Sequence, residues 1–437
     1  MREPLNQARA TTGSSRRALS AAPEGTVRRP ARRPSPRGEN LARALRCIAD
    51  GDGEVSRADI SARTALNRST SGSLVDELIS AGLVREVGIK VRSTAGRPPT
   101  SLALVDAGPA GLGIEVNVDH LATCVVDLAG NPRYRRVVTA DQRGRDPRDV
   151  LRSAMALGAA AVHEAEEIGL EPQGMTLAVP GLVDVDRARV VLAPNLGWHD
   201  LTVGAQLDPV ELGLPPDAVV TLENEANCAA LSERRLLRSR TSFLYVHAGI
   251  GVGSALVLRG ELHRGRNGWS GEVGHLTVEH DGPACGCGGR GCLEQYAGQE
   301  AVLRAAGLPS PVPGTSTGPG AVSELVKERV DGGDPRMLEA VGRAGRAVGL
   351  AVAQALNLLD IELVVLGGIY YDLGPLILPV VRAEVASRYA GARWAPPRIV
   401  TAVHGLDAPA LGAARSVVQR IIDDPSDWLD AADPHRR

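Results

Sequence analysis

The sequence predicts a mixed α/β chain in two parts: a small winged helix-turn-helix head, then a larger body of two βββα-type halves with a cleft between them. Three observations predict it. Three short amphipathic helices followed by two strands occupy residues 39–105. From Gly108 the pattern changes to strand triplets joined to Ala-rich helices, and it does so twice. Within the second half, Gly271 to Glu294 gathers three thiols and an imidazole into one short span.

Length and charge bound the rest. A chain of 437 residues is too long for one core, so two or three domains are expected. The net charge is −2, but residues 1–38 hold nine Arg against two Glu, which leaves the remainder distinctly acidic. Any affinity for phosphate backbone is therefore local. That leader, almost without large apolar residues, is expected to be a disordered basic tail. Three of the six cysteines (Cys47, Cys124, Cys228) sit in apolar runs, which fits a reducing compartment. No apolar run spans a membrane and no secretory signal opens the chain, so a soluble, cytoplasmic protein is expected.

The head is read in order. Leu41, Leu45 and Ile48 repeat at helical spacing behind Asn40 as cap. A second helix has Ser56 as N-cap with Asp59 three residues on, and Val55 is placed to staple against Ile60. A third starts near Asn67, turns Leu74, Val75, Leu78 and Ile79 inward, and stops at Gly82. Strands at 83–87 and 102–105 flank a Gly-, Arg- and Pro-bearing loop. The third helix would enter the major groove by its first turn, exposing Arg68, Ser69, Thr70, Ser71 and Ser73 to phosphates and base edges. Arg97, in the stiff loop of residues 93–99, suits the minor groove. Small three-helix units also serve as dimerisation modules; the dense hydroxyl set favours DNA.

In the body, strands are expected at 111–116, 121–127 and 134–139, a helix from about Pro147 to Ile168, and a strand from Met175 ending in the Pro180-Gly181 turn. The second half opens with strands at 242–247, 253–259 and 261–263, later joined by an Ala-rich helix from Gly342 to Leu359 and a strand at 363–368. Residues 306–321 read as a loop and 423–437 as a polar tail. The lobes are placed at about 108–230 and 231–400, with a C-terminal helix at about 408–422.

His275, Cys285, Cys287 and Cys292 are the ligand number and type that tetrahedral zinc asks for, although thiol and imidazole ligation alone does not fix the metal. Glu272 and Glu294 bracket the cluster, so a structural metal pinning both ends would hold two carboxylates in a fixed relation.

These residues resemble the ROK family (repressors, open reading frames and sugar kinases), and within it the repressor branch. The resemblance covers about Asn40 to Gln419. It rests on E-x-G-H at Glu272 to His275, C-x-C-G-x-x-G-C-x-E at Cys285 to Glu294 and P-G-x-V-D at Pro180 to Asp184, with support from Glu223 to Asn227 and Leu366 to Gly368. It implies an actin-like sugar-kinase fold behind a DNA-binding head, a structural zinc, and a sugar in the interdomain cleft held by Asn224, Glu225, Glu272, His275 and Glu294, with Asn195 and Gly181 lining it. Carboxylates and an amide are natural partners for sugar hydroxyls. Glu223 reads instead as a solvated strand end.

The kinase machinery departs from the family. Kinases of the family begin with Asp-x-Gly-Gly-Thr; the aligned residues here are Glu115, Val116, Asn117, Val118 and Asp119. At the base position Glu225 replaces Asp, and one methylene of misplacement costs about a hundredfold in rate. The turn Gly249-Ile-Gly-Val-Gly253 survives. The expectation is a sugar-responsive DNA-binding repressor, a homodimer or homotetramer on two-fold operator DNA, with catalysis lost. The alternatives are an active ATP-dependent sugar kinase with an accessory head, or an activator.

Overall fold

The computed structural model describes residues 35–51, 53–89, 100–237, 241–309, 320–426 and 428–429. Most of the basic leader, the wing tip with Arg97, the loop at 310–319 and the last eight residues lie outside that set.

The head is three helices, Pro36–Ala49, Arg57–Thr64 and Arg68–Ser80, against a sheet in the order Val55–Ser56, Thr100–Leu104, Val84–Ile89. The first helix begins earlier than the Asn40 cap expected from the apolar repeat. Ser35 accepts from the Gly38 amide at 3.1 Å and Pro36 opens the first turn, a stronger start than an Asn inside an already helical run. The second helix carries the expected capping box: the Ser56 hydroxyl accepts from the Asp59 amide at 3.3 Å, and the Asp59 carboxylate accepts from the Ser56 amide at 3.0 Å. Leu41, Leu45, Ile48, Ile60, Leu74 and Leu78 form the core of this unit.

The body has two sheets of the same design. In the first lobe the order is Val219–Asn224, Leu170–Val179, Gly108–Val116, His120–Asp127, Pro132–Thr139; in the second it is the mirror listing Glu261–Leu262, Val252–Leu258, Phe243–Ala248, Leu363–Gly368, Arg398–Thr401. Each opens with an antiparallel meander and continues with parallel strands beside its first strand. Helix Pro147–Glu167 covers the first sheet, and Pro335–Leu359 packs on Gly374–Arg388 in the second lobe. The long helix starts seven residues before the expected Gly342, because Asp334 caps it through the Arg336 and Met337 amides. A three-stranded sheet (Leu182–Asp184, Arg189–Ala193, Trp198–Thr202) follows the Pro180-Gly181 turn.

Two helices tie the parts together. Glu225–Arg234 leads from the first lobe into the second, and Ala408–Asp423 lies against it, against the first sheet and against the head. Leu411, Ala414, Val418 and Ile422 of this last helix share one apolar cluster with Leu41 and Leu45. The approach is close: a Cβ on Gly412 would sit 1.7 Å from the Cys228 carbonyl oxygen. The expected polar tail is corrected in part, since Trp428 and Leu429 pack on the head and the Trp428 indole N–H donates to the Ala81 carbonyl at 2.8 Å. Among the described residues no helix is long and apolar enough to cross a membrane.

Candidate functional site

The Gly271 to Glu294 segment folds on itself through short backbone bonds, Val278 N–H to Gly291 O at 2.8 Å and Leu293 N–H to Leu276 O at 2.9 Å. This brings His275, Cys285, Cys287 and Cys292 together, with all four donor atoms within 4.8 Å of one another. Cys285 Sγ lies 3.7 Å from His275 Nδ1, and Cys287 Sγ lies 3.7 Å from Cys292 Sγ. A tetrahedron with Zn–S bonds of about 2.3 Å has edges of about 3.75 Å, so the donor set fits zinc in type and two of its six donor pairs already stand at that spacing. Burial, then the neighbouring Glu294, holds the Cys285 thiol above its ordinary range, so a cation must displace protons to bind.

The bracketing carboxylates stand at the edge of this knot. Glu294 opens a short helix and accepts from Cys285 Sγ at 3.1 Å. Glu272 lies 4.0 Å from His275 Nε2, the ring nitrogen turned away from the thiols. Burial, with the negative charge of Glu294, pushes the Glu272 carboxyl up to about 7. Asn195, from the first lobe, meets Glu294 across Gly251: a Cβ there would fall 2.3 Å from Glu294 Oε2 and 3.2 Å from Asn195 Nδ2. Gly251, given little weight in the sequence, is thus demanded by space. Because the obstructing atoms are side-chain ends, Gly251→Ala is expected to fold, with a melting temperature within about 2 °C of wild type, yet to weaken saccharide binding by about tenfold or more as the carboxylate shifts. Paired thermal melts and binding titrations check both halves of that expectation.

Gly181, Asn224 and Glu225 form a second group. Asn224 caps the interlobe helix, accepting from the Ala226 and Asn227 amides, and its Nδ2 donates to the Gly181 carbonyl at 2.8 Å. It therefore has one N–H left for a ligand. Glu223 is not a solvated strand end. It is 5% exposed, accepts two N–H bonds from the Arg264 guanidinium (2.9 and 2.7 Å) and one from Asn227. Arg264 comes from the other lobe, 41 residues away, which is why no local signal pointed to the pair.

Residues 115–119 bond chiefly to one another and to Glu225. Asn117 Nδ2 donates to Glu115 Oε1 at 3.0 Å and to Glu225 Oε2 at 2.9 Å, while its Oδ1 accepts the Val118 amide at 2.7 Å. The Val118 backbone N–H is thus engaged by the chain's own Asn117. His120, missed in the sequence, is buried with Nδ1 2.7 Å from Asp119 and Nε2 3.3 Å from Glu115.

This cluster sets a pH dependence. Burial, then the charge of Glu115, pushes Glu225 from 4.5 up to about 8. Burial alone would lower His120, but Glu115 and Asp119 raise it from 6.5 to about 10. In both windows the folded chain holds more protons than the unfolded one, so stability is full below and drains away as pH rises through the folded values. The melting temperature is expected to fall steadily from pH 6.5 to 9.5, with a shallower decline in Glu225→Gln. A flat wild-type profile over that range contradicts the assignment.

On the head, Arg68, Ser69 and Ser73 are exposed and Thr70 is half-buried. Ser71 is not available to DNA: it is fully buried, and its hydroxyl lacks a partner. It lies one helical turn before the inward-facing Leu74 and Val75, so its place on the helix turns it to the core. Ser69, Thr70 and Ser73 instead share a hollow of about 430 Å³ with Pro36, Arg37, Asn40 and Leu74. Arg37, assigned in the sequence to the tail, belongs to this face.

A helix-turn-helix head joined to a two-lobed body, with Asn195 of one lobe meeting Glu294 of the other, defines a DNA-binding regulator built on a sugar-kinase frame. The chain belongs to the ROK family, whose model matches residues 111–420, and the IclR helix-turn-helix domain matches residues 39–88. It is similar to the xylose repressor of Bacillus subtilis (strain 168), 28% identical over 377 residues, covering 84% of this chain and 92% of that one. Among solved structures, a ROK family transcriptional regulator described as a homologue of the E. coli MLC protein superposes with a TM-score of 0.70 at 23% identity, covering 91% of this chain and 98% of that one. A ROK family glucokinase from Streptomyces griseus, in complex with glucose and AMPPNP, gives 0.58 at 28%, covering 70% and 98%.

Proposed function

We propose that this chain is a sugar-responsive transcriptional repressor whose body retains the receptor cleft of a sugar kinase and has given up phosphoryl transfer. The observation that carries the reading is the Asn117 side chain, which caps its own turn and ties Glu225 at the base position, on a body whose last helix shares its apolar cluster with a DNA-binding head. Phosphoryl transfer needs open backbone amides at the phosphates and a free carboxylate, and both are engaged here.

Gly181, Asn195, Asn224, Glu225, Glu272, His275 and Glu294 are assigned to the sugar. Zinc on His275, Cys285, Cys287 and Cys292 is assigned a structural role: it clamps the segment that presents Glu272 and Glu294, while His275 Nε2 remains turned toward Glu272. Arg68, Ser69, Thr70 and Ser73 are assigned to operator DNA, with Arg97 from the wing. A cytoplasmic location and a homodimer or homotetramer on a two-fold site are assigned with it, because operator symmetry mirrors protein symmetry in helix-turn-helix regulators. Ligand acts by binding two conformations of the body with different affinity.

The test pairs two assays on the full chain. Fluorescence anisotropy with DNA fragments from upstream of its own gene, with and without a saccharide panel, is expected to show binding that Arg68→Ala weakens and a saccharide modulates. A coupled ATP assay on the same panel is expected to stay at background. The surviving Gly249 to Gly253 turn keeps an active kinase as the second reading; steady product formation lost in Glu225→Gln establishes it in place of the first.

A further inference from the structure

We propose that Trp269 is a stacking platform at the rim of the cleft, and that the ligand of this chain therefore extends beyond a single sugar ring. The inference rests on the reading of the cleft as a saccharide site. Trp269 belongs to the exposed segment that leaves the second lobe after Leu262 and returns at Glu272. That segment is fastened to the first lobe at two points: the Arg264 guanidinium donates twice to Glu223, and the Trp269 indole N–H donates to the Val183 carbonyl at 3.2 Å. Its path is encoded. Gly268 (φ +88°) and Gly271 (φ +93°) adopt left-handed backbone that side-chain-bearing residues rarely take, and a Cβ on Gly268 would meet the Val183 oxygen at 3.0 Å. The indole is thus held in a fixed place, three residues before Glu272 and against a residue two beyond Gly181.

Its remaining surface is the argument. The N–H is satisfied by protein, and the residue is 38% exposed. A tie between lobes needs only a donor, which a short polar side chain supplies without exposing an indole. An exposed aromatic residue on a segment that runs into Glu272 and is fixed to the lobe carrying Gly181 is what a sugar ring fits, with hydroxyl edges on carboxylates and an apolar C–H face on the ring. The carboxylates Glu272 and Glu294, beside His275 and Cys285, take the first ring. A platform at the rim takes a second ring or an aglycone.

The experiment is isothermal titration of the full chain with glucose, xylose, cellobiose, maltose and xylobiose, for wild type, Trp269→Phe, Trp269→Ala and Glu272→Gln. At least one disaccharide is expected to bind about tenfold tighter than its monosaccharide, an advantage kept largely by Trp269→Phe and lost in Trp269→Ala, whose monosaccharide affinity stays within about twofold of wild type. Equal weakening of both sizes in Trp269→Phe and Trp269→Ala assigns the indole to the lobe tie alone and overturns the proposal. Unchanged affinities in Trp269→Ala, or no disaccharide preference in wild type, overturn it as well while leaving the cleft intact. Failure of every saccharide to bind, with Glu272→Gln indistinguishable from wild type, overturns the cleft reading and this one with it.

Discussion

Stripping the metal is expected to abolish saccharide binding while leaving the unliganded chain able to bind DNA. The two carboxylates assigned to sugar stand at opposite ends of a segment whose own apolar content is small. Between them run His280, Asp281, Gly282, Pro283 and a Gly-rich turn, with Cys287 exposed. Backbone bonds and the buried Val273 and Leu293 anchor the two ends, and three thiols and an imidazole converge between them to within 4.8 Å. Without a cation the loop of residues 279–292 loses its cross-link, and the side chains of Glu272 and Glu294 are expected to loosen relative to each other. Misplacement by about 1 Å is enough to cost about a hundredfold in a preorganised site. A metal held at a thousand times its dissociation constant contributes about 4 kcal/mol, so its loss should lower the melting transition of the second lobe by on the order of 10 °C. The head's apolar cluster, with Leu41, Leu45, Leu74 and Leu78, is shared with the last helix and contains no residue of the metal segment, so the head is expected to be untouched. Treatment with a chelator, and Cys285→Ser, should agree; readdition of zinc should restore the first but not the second. Unchanged melting and saccharide affinity after metal analysis confirms an empty site would remove the structural role assigned to the cation.

That cluster was legible in the sequence because its ligands fall within 18 residues, a span over which covalent connection forces proximity. The capping box at Ser56 and Asp59 was legible for the same reason. What the sequence hid depends on distance or on facing. Glu223 looked solvated because Arg264, its partner, is on the other lobe, and Asn117 looked like a degenerate glycine because the carboxylate it holds lies 108 residues on. Ser71 sits in a run of small hydroxyl residues in which local composition cannot say which one faces inward. The early start of the first helix hid behind an Arg-rich leader whose composition argued for disorder up to Gly38. The last helix carried no motif at all, since its role is made of absences: Ala408, Ala410, Gly412, Ala413 and Ala414 are small where other elements must come close.

Gly412→Ala is therefore expected to destabilise the chain, against the ordinary sign of that substitution in a helix. Elsewhere the exchange removes backbone freedom from the unfolded chain and stabilises by about 0.5–1 kcal/mol. Gly342, in the long helix Pro335–Leu359, supplies the control, because a Cβ there meets only Arg346 Nη1 at 3.5 Å. At Gly412 the same methyl would lie 1.7 Å from the Cys228 oxygen, 2.6 Å from its carbonyl carbon and 3.0 Å from the Ser232 amide nitrogen. All three are backbone of the interlobe helix, which cannot turn aside as a side chain does. The other face offers no room either, since Gly111 and Gly113 of the first sheet already receive Ala414 O and Ala410 O at the places a Cβ would take. The helices must separate by more than 1 Å, a shift that a close-packed interior resists at a cost of about 1–3 kcal/mol or more. The displacement also reaches function. The interlobe helix begins at Asn224 and Glu225, and Ala408–Asp423 carries Leu411, Val418 and Ile422 into the head's cluster, so the two helices link the cleft to the DNA-binding unit. Urea denaturation should show Gly342→Ala more stable than wild type and Gly412→Ala less so, and anisotropy should show that Gly412→Ala still binds operator DNA but responds weakly to saccharide. A Gly412→Ala chain as stable and as responsive as wild type would mean that the cleft reports to the head by some path other than this helix pair.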